Sequence, residues 1–127
     1  MNLARPAMLL AFAALLGAPL PAAAQNAAQD AAAGERAFRT RCGTCHSLEP
    51  GQNRAGPSLA GVIGRKAGSV EGARYSQALR DSGITWDAQS LDGFLADPRG
   101  TVPGTSMTTR LADAAQRAAI IAYLSGR

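Results

Sequence analysis

Five consecutive residues, Cys42-Gly43-Thr44-Cys45-His46, constrain this chain more than any other feature of it. Two thiols three positions apart, followed at once by an imidazole, form the attachment signature of a c-type haem. The thiols can bond to the vinyl groups of the porphyrin, and His46 is then held beside it as an iron ligand. A chain with this motif is expected to hold one covalently bound haem c and to carry electrons.

The cysteine count excludes the main competitors. With only two Cys and one His in the chain, a structural zinc site made of four cysteines, of three cysteines and a histidine, or of two of each cannot be built within one copy. A thioredoxin-like redox pair belongs beside a strand-helix-strand pattern, and the flanks Glu35 to Arg41 and Pro50 to Arg54 show none. A structural disulfide is sterically poor at this spacing.

The amino terminus reads as an export signal. Arg5 gives a positive start, Ala7 to Leu16 is an apolar run, and Ala22-Ala23-Ala24 offers small residues for cleavage before Gln25. The other reading is a retained anchor, but Pro19 and Pro21 interrupt the run short of the roughly 20 residues that a spanning helix needs. The expected organisation is a signal at 1–24, a mobile lead-in at 25–33 and one domain at 34–127, exported to the periplasm. Cleavage would remove one of thirteen Arg and Lys and none of nine Asp and Glu, leaving 103 residues and a formal +3 before haem propionates are counted. No clustered basic stripe or aromatic stacking platform is visible, so nucleic acid is not an expected partner.

Periodicity and punctuation predict helices joined by long loops. Asp30 is a candidate cap for a first helix that continues through Glu35 to Thr40, with Phe38 on one face, into the haem motif. Glu49 to Ser69 is rich in Gly and reads as loop. Ser76 can cap a short helix through Arg80 that stops near Gly83. Asp87 to Ala96 places Leu91, Phe94 and Leu95 on one apolar face and is closed by Pro98. Asp113 with Gln116 resembles a capping box, and Ile120, Ile121 and Leu124 make the last helix amphipathic. Loops of this length in a small domain are unusual unless they bind something.

Met107 is the only Met after the signal, and taken alone such a Met is usually a core gap filler. Its setting, however, belongs to an ordered series. Gly34, Phe38, Cys42, Cys45 and His46 are followed by Gly56-Pro57, Leu59, Gly61 and Gly64-Arg65-Lys66. Tyr75, Gly83-Ile84-Thr85-Trp86, Pro103-Gly104-Thr105 with Met107, and Ile121-Ala122-Tyr123-Leu124 complete it. Over about residues 34–125 the sequence closely resembles the mitochondrial-type class I cytochromes c and their bacterial relatives.

That resemblance implies an all-α class I cytochrome c fold, in which long loops wrap the haem and the first and last helices cross at Gly34. It implies that His46 and Met107 are the two iron ligands and that the Pro57 carbonyl supports His46. It further implies that Arg65, Tyr75, Trp86 and Thr105 meet the haem propionates. Three positions depart from the family pattern: Phe94 stands where many relatives have Tyr, Leu79 where Asn is common, and Thr109 in place of an aromatic.

The function implied is outer-sphere one-electron transfer by a monomeric carrier that is not an enzyme. Its partners would be redox proteins such as a quinol-cytochrome c reductase and a terminal oxidase or other acceptor, met in brief docking at membrane complexes through a small interface. Lys66 is the sole Lys, so a docking rim would have to come from Arg41, Arg54, Arg99 and Arg110, which equally read as scattered surface charge. A haem peroxidase or small-ligand binder with a labile Met107 is the alternative, because access at the sixth position separates ligand activation from electron transfer.

Overall fold

The computed structural model describes residue 19 and residues 21–127. The apolar run Ala7 to Leu16 lies outside the described residues. Among those described, the order is α1 (Ala22–Arg41), α2 (Gln77–Asp81), α3 (Ala88–Ala96), α4 (Pro98–Thr101) and α5 (Ala114–Ser125). The only β pairing among them is an isolated bridge between Lys66 and Thr85. The all-α expectation therefore holds.

α1 starts earlier than the sequence pattern suggests. Its first half is alanine-rich, and alanine is the strongest helix former, so residues 25–33 are helical, in place of the expected mobile lead-in. Asp30 consequently lies inside the helix and caps nothing; Pro21 occupies the N-cap. The far end behaves as expected. Cys42 and Gly43 N–H groups both donate to the Phe38 carbonyl, and Arg39 and Arg41 place positive charge on the last turn, where it complements the helix dipole.

The later elements are set by local hydrogen bonds. Ser76 Oγ accepts from Leu79 N–H and starts α2. At α3, Asp87 Oδ1 accepts from Ser90 N–H at 2.7 Å while Ser90 Oγ accepts from Asp87 N–H at 2.9 Å, a complete capping box. At α5 only the forward half forms, with Asp113 Oδ1 accepting from Gln116 N–H, so the reciprocal pairing expected there occurs at Asp87 instead. Pro98, expected to close a helix, also opens one. Its fixed φ and missing N–H end α3 but suit the first position of the next helix, and Asp97 caps that turn through Gly100 N–H.

Hydrogen bonding to Ser90 holds the Asp87 carboxyl below its ordinary value of 3.8. The cap's contribution is therefore complete above that pH and is lost as pH falls beneath it. Asp87→Ala should lower the melting temperature at neutral pH and remove that part of the acid dependence. Melting curves of the two proteins that converge below the Asp range would bear this out; a constant difference at every pH would not.

α5 packs across α1 and also against α3, with α4 beside α3. Phe38, Ile120, Ile121 and Leu124 are buried at these contacts. The Phe38 and Tyr123 rings sit 5.8 Å apart. Gly34 lets the first and last helices approach, since a Cβ there would stand 2.2 Å from Ala119 O.

Candidate cofactor site

One tight turn at the end of α1 gathers the motif. Cys45 N–H and His46 N–H both donate to the Cys42 carbonyl, at 3.0 and 2.9 Å, so the two thiols and the imidazole leave the same short stretch of backbone. Arg54 Nη1 holds the turn from outside by donating to Gly43 O at 2.6 Å. Both thiols are free, and no disulfide joins them. Burial pushes the Cys42 thiol up to about 11, with Arg41 acting in the opposite direction, so at neutral pH it is a thiol and not a reactive thiolate.

The imidazole is fixed in orientation and in tautomer. His46 Nδ1 lies 2.8 Å from the Pro57 carbonyl oxygen. A carbonyl only accepts, so Nδ1 carries the proton and the Nε2 lone pair is left available. Burial lowers the His46 pKa, the Pro57 bond opposes that, and nearby Arg65 lowers it further. The ring is accordingly held neutral.

Gly56 lies against the imidazole, where a Cβ would meet Cε1 at 2.3 Å and Nε2 at 2.9 Å. Gly56→Ala should therefore turn or displace the ring, seen as moved His46 ring resonances in NMR spectra and a lower melting temperature. Unmoved resonances would mean that the contact is absent.

Both groups line one cavity of about 290 Å³, together with Cys42, Cys45 and Met107. Its walls are apolar: Leu91, Phe94, Leu95, Leu111, Ile120 and Leu124 line it and are also core residues. Arg65, Tyr75, Trp86 and Thr105 line it as well. The structure thus brings all eight sequence-predicted site residues to one place. Phe94 lies with its ring 5.1 Å from that of Trp86, and Leu79 and Thr109 also face the cavity.

The polar members have second tasks within the chain. Arg65 donates to Ala60 O at 2.7 Å and to Ser58 O at 2.8 Å, which leaves its remaining N–H groups for the cavity. Burial lowers the Arg65 pKa, and among the described residues no carboxylate pairs with it. Tyr75 Oη accepts from Val70 N–H. Thr105 Oγ1 accepts from Met107 N–H at 3.3 Å. Each of these hydroxyls can still donate.

The Met107 segment is tied down beyond that contact. Leu111 N–H donates to Leu95 O, and Arg110 Nε to Ala96 O, both at 2.8 Å. Arg117 spans three groups, donating to the Leu111 and Ala112 carbonyls and to Asp92 Oδ1, the last at 2.7 Å. Sequence reasoning misses Arg117, and also Arg74, which joins Arg41 in lining the cavity. Arg54 and Arg110 bind backbone carbonyls, and Arg99 lies exposed in α4.

These residues fit a covalent haem. Two free thiols one turn apart, an imidazole with a committed Nδ1, a thioether, apolar walls and a guanidinium lacking a carboxylate partner surround one cavity. Among the described residues no group of three or more His, Cys, Asp or Glu could hold a bare metal ion. No helix of the described residues is long and apolar enough to cross a membrane.

Comparison with known proteins gives consistent results. The family model described as Cytochrome c matches residues 31–127. Cytochrome c2 iso-2 of Magnetospirillum fulvum is 51% identical over 84 residues, covering 65% of this chain and 88% of that protein. Cytochrome c2 of Rhodoblastus acidophilus is 46% identical over 100 residues, covering 77% of this chain and 92% of that one. The solved structure of cytochrome cH from Methylobacterium extorquens superposes with a TM-score of 0.71 at 46% identity, covering 77% of this chain and 99% of that one.

Proposed function

This chain belongs to the cytochrome c family, and from that we propose that it is an exported electron carrier whose iron is held by His46 Nε2 and the Met107 sulfur. Haem c, carried covalently as in the family, supplies an iron that alternates between ferrous and ferric states. Everything else in the function is the work of the polypeptide. The observation that supports the ligand pair best is the shared cavity, into which the neutral His46 ring and Met107 both open.

Cys42 and Cys45 would tether the porphyrin in both oxidation states. The Met107 thioether favours the ferrous iron relative to a second imidazole. The apolar wall acts in the same direction, because a low-dielectric pocket disfavours the extra charge of the ferric state. Arg65, with Tyr75, Trp86 and Thr105 beside it in the cavity, would meet a haem propionate and offset the cost of burying that carboxylate. Phe94 offers no hydroxyl to the Met107 sulfur.

The hydrogen bonds around the Met107 segment argue against a peroxidase or ligand binder. Two backbone carbonyls of α3 and the side chain of Arg117 hold that segment, so Met107 would be kept at the iron and would deny access to an added ligand. Ferric protein should show the weak far-red absorption of iron-sulfur ligation and resist cyanide at modest concentration. Met107→Ala should keep the covalent haem, lower the midpoint potential and admit cyanide. An unchanged spectrum in that variant would rule out Met107 as a ligand.

We place the protein in the periplasm, delivered by the signal at 1–24, as a monomer shuttling between a quinol-cytochrome c reductase and a terminal oxidase or other acceptor. Arg41 and Arg74 at the cavity supply the basic rim for an acidic partner. Association should then weaken as ionic strength rises, because the Debye length falls from about 10 Å at 0.1 M to about 3 Å at 1 M. Stopped-flow rates that do not vary with salt would contradict this.

A further inference from the structure

The peptide between Pro57 and Ser58 is gripped at both ends. Its carbonyl accepts from His46 Nδ1 at 2.8 Å, and its N–H donates to Asn53 Oδ1 at 3.0 Å. Asn53 is in turn anchored, since its Nδ2 donates to Glu71 O at 2.9 Å across eighteen residues of sequence. The amide group is thereby oriented with its oxygen towards Ser58 and its nitrogen towards Glu71. Ser58 itself is buried, with its hydroxyl donating to Glu49 O and its carbonyl accepting from Arg65.

A peptide is a conjugated unit. Donation from its N–H to an acceptor increases electron density on its carbonyl oxygen, and hydrogen bonds linked in this way strengthen one another. The Pro57 oxygen therefore accepts more strongly from His46 Nδ1–H because Ser58 N–H is bonded to Asn53. A stronger bond at Nδ1 gives the imidazole more imidazolate character and makes Nε2 a better donor, as outer-shell partners of metal-bound histidines do.

We infer that Asn53 is a positioning residue for His46, acting through the Pro57–Ser58 peptide to set both the direction and the donor strength of the imidazole. It rests on the reading of His46 as an iron ligand. The relay places control of the ligand in a side chain seven residues away in sequence. It also couples the ligand to the backbone at Glu71, so a shift of that backbone is transmitted to the imidazole.

Two variants of the holoprotein separate this role from simple loop stapling. Asn53→Leu removes both the acceptor for Ser58 N–H and the donor to Glu71 O. Asn53→Asp keeps the acceptor and loses only the donor. The readout is the His46 Nδ1–H proton resonance of the ferrous protein, with the midpoint potential measured alongside. That resonance follows the Nδ1 hydrogen bond, whereas a distant charge shifts the potential without altering the bond.

In Asn53→Leu the resonance should move upfield and the potential should rise. In Asn53→Asp the resonance should stay in place or move downfield. An unmoved resonance in Asn53→Leu, or the same upfield movement in both variants, would overturn the inference and leave Asn53 as a loop staple. Should the leucine variant not fold, an upfield movement in Asn53→Asp alone is sufficient to overturn it. Failure of the ligand reading looks different: the unsubstituted protein would then lack the ring-current-shifted His46 signals of an imidazole bound to haem iron.

Discussion

A Cys42→Ser, Cys45→Ser double variant that acquires no haem should fail to reach the native fold. Leu91, Phe94, Leu95, Leu111, Ile120 and Leu124 line the cofactor cavity and also make up half of the hydrophobic core, so without the cofactor the core surrounds an empty space. At ~24 cal/mol per Å³, a dry void of the 290 Å³ found here would cost up to about 7 kcal/mol. The whole stability of a small domain is only about 5–15 kcal/mol, and water entering the void would solvate apolar walls instead. Folding is thereby coupled to cofactor attachment, as it is in small metal-dependent domains. Circular dichroism of the double variant should show most of the helical signal lost and no cooperative melting. A sharp thermal transition in the haem-free chain would show that the polypeptide closes its own core.

Gly34→Ala should destabilise the holoprotein, although helix propensity alone predicts the opposite. Replacing a helical Gly with Ala normally gains about 1 kcal/mol. At position 34 the new methyl group would stand 2.2 Å from Ala119 O and 2.8 Å from Tyr123 Cβ, and both belong to α5. The first of these is backbone, so relief requires α1 and α5 to separate, and their contact holds Phe38, Ile120 and Tyr123 together. Overpacking typically costs about 1–3 kcal/mol. An overlap with backbone belongs at the top of that range, which outweighs the propensity gain. The melting temperature should fall on the order of 10 °C, taking about 4–8 °C per kcal/mol for a domain of this size. Gly126→Ala is the control, because its Cβ would meet Tyr123 O at an ordinary 3.9 Å. A Gly34→Ala protein that melts higher than the unsubstituted one would mean that the two helices do not cross closely at this point.

Local signals are legible in the residue order and non-local ones are not. The caps at Ser76 and Asp113 and the apolar face of Leu91, Phe94 and Leu95 depend on neighbours three or four positions away, and all appear in the structure. The Asp87 capping box is harder to see because its return partner is Ser90 and not Glu or Gln. The full extent of α1 is hidden because a run of Ala, Gln and Asn has no apolar face to read, while its backbone propensity is high. Pro98 reads as a stop, but a proline satisfies the end of one helix and the start of the next equally well.

Residue order alone specifies the chemistry that a single turn of backbone can hold. Once Cys42, Cys45 and His46 stand at that spacing, bonds to the Cys42 carbonyl suffice to present two thiols and an imidazole together. It also specifies the family, through residues spread along the whole domain. Packing in three dimensions was needed to settle which nitrogen of His46 keeps its proton, which carbonyls Arg65 braces, and that Arg117 fixes the Met107 segment. Those choices depend on where Pro57, Ser58, Ala60 and Leu111 lie in space. Each is a hydrogen bond reaching over five to eleven residues, outside the three- and four-residue spacing of a helix, and no residue's type or spacing specifies its partner until the core has packed and set the distance between them.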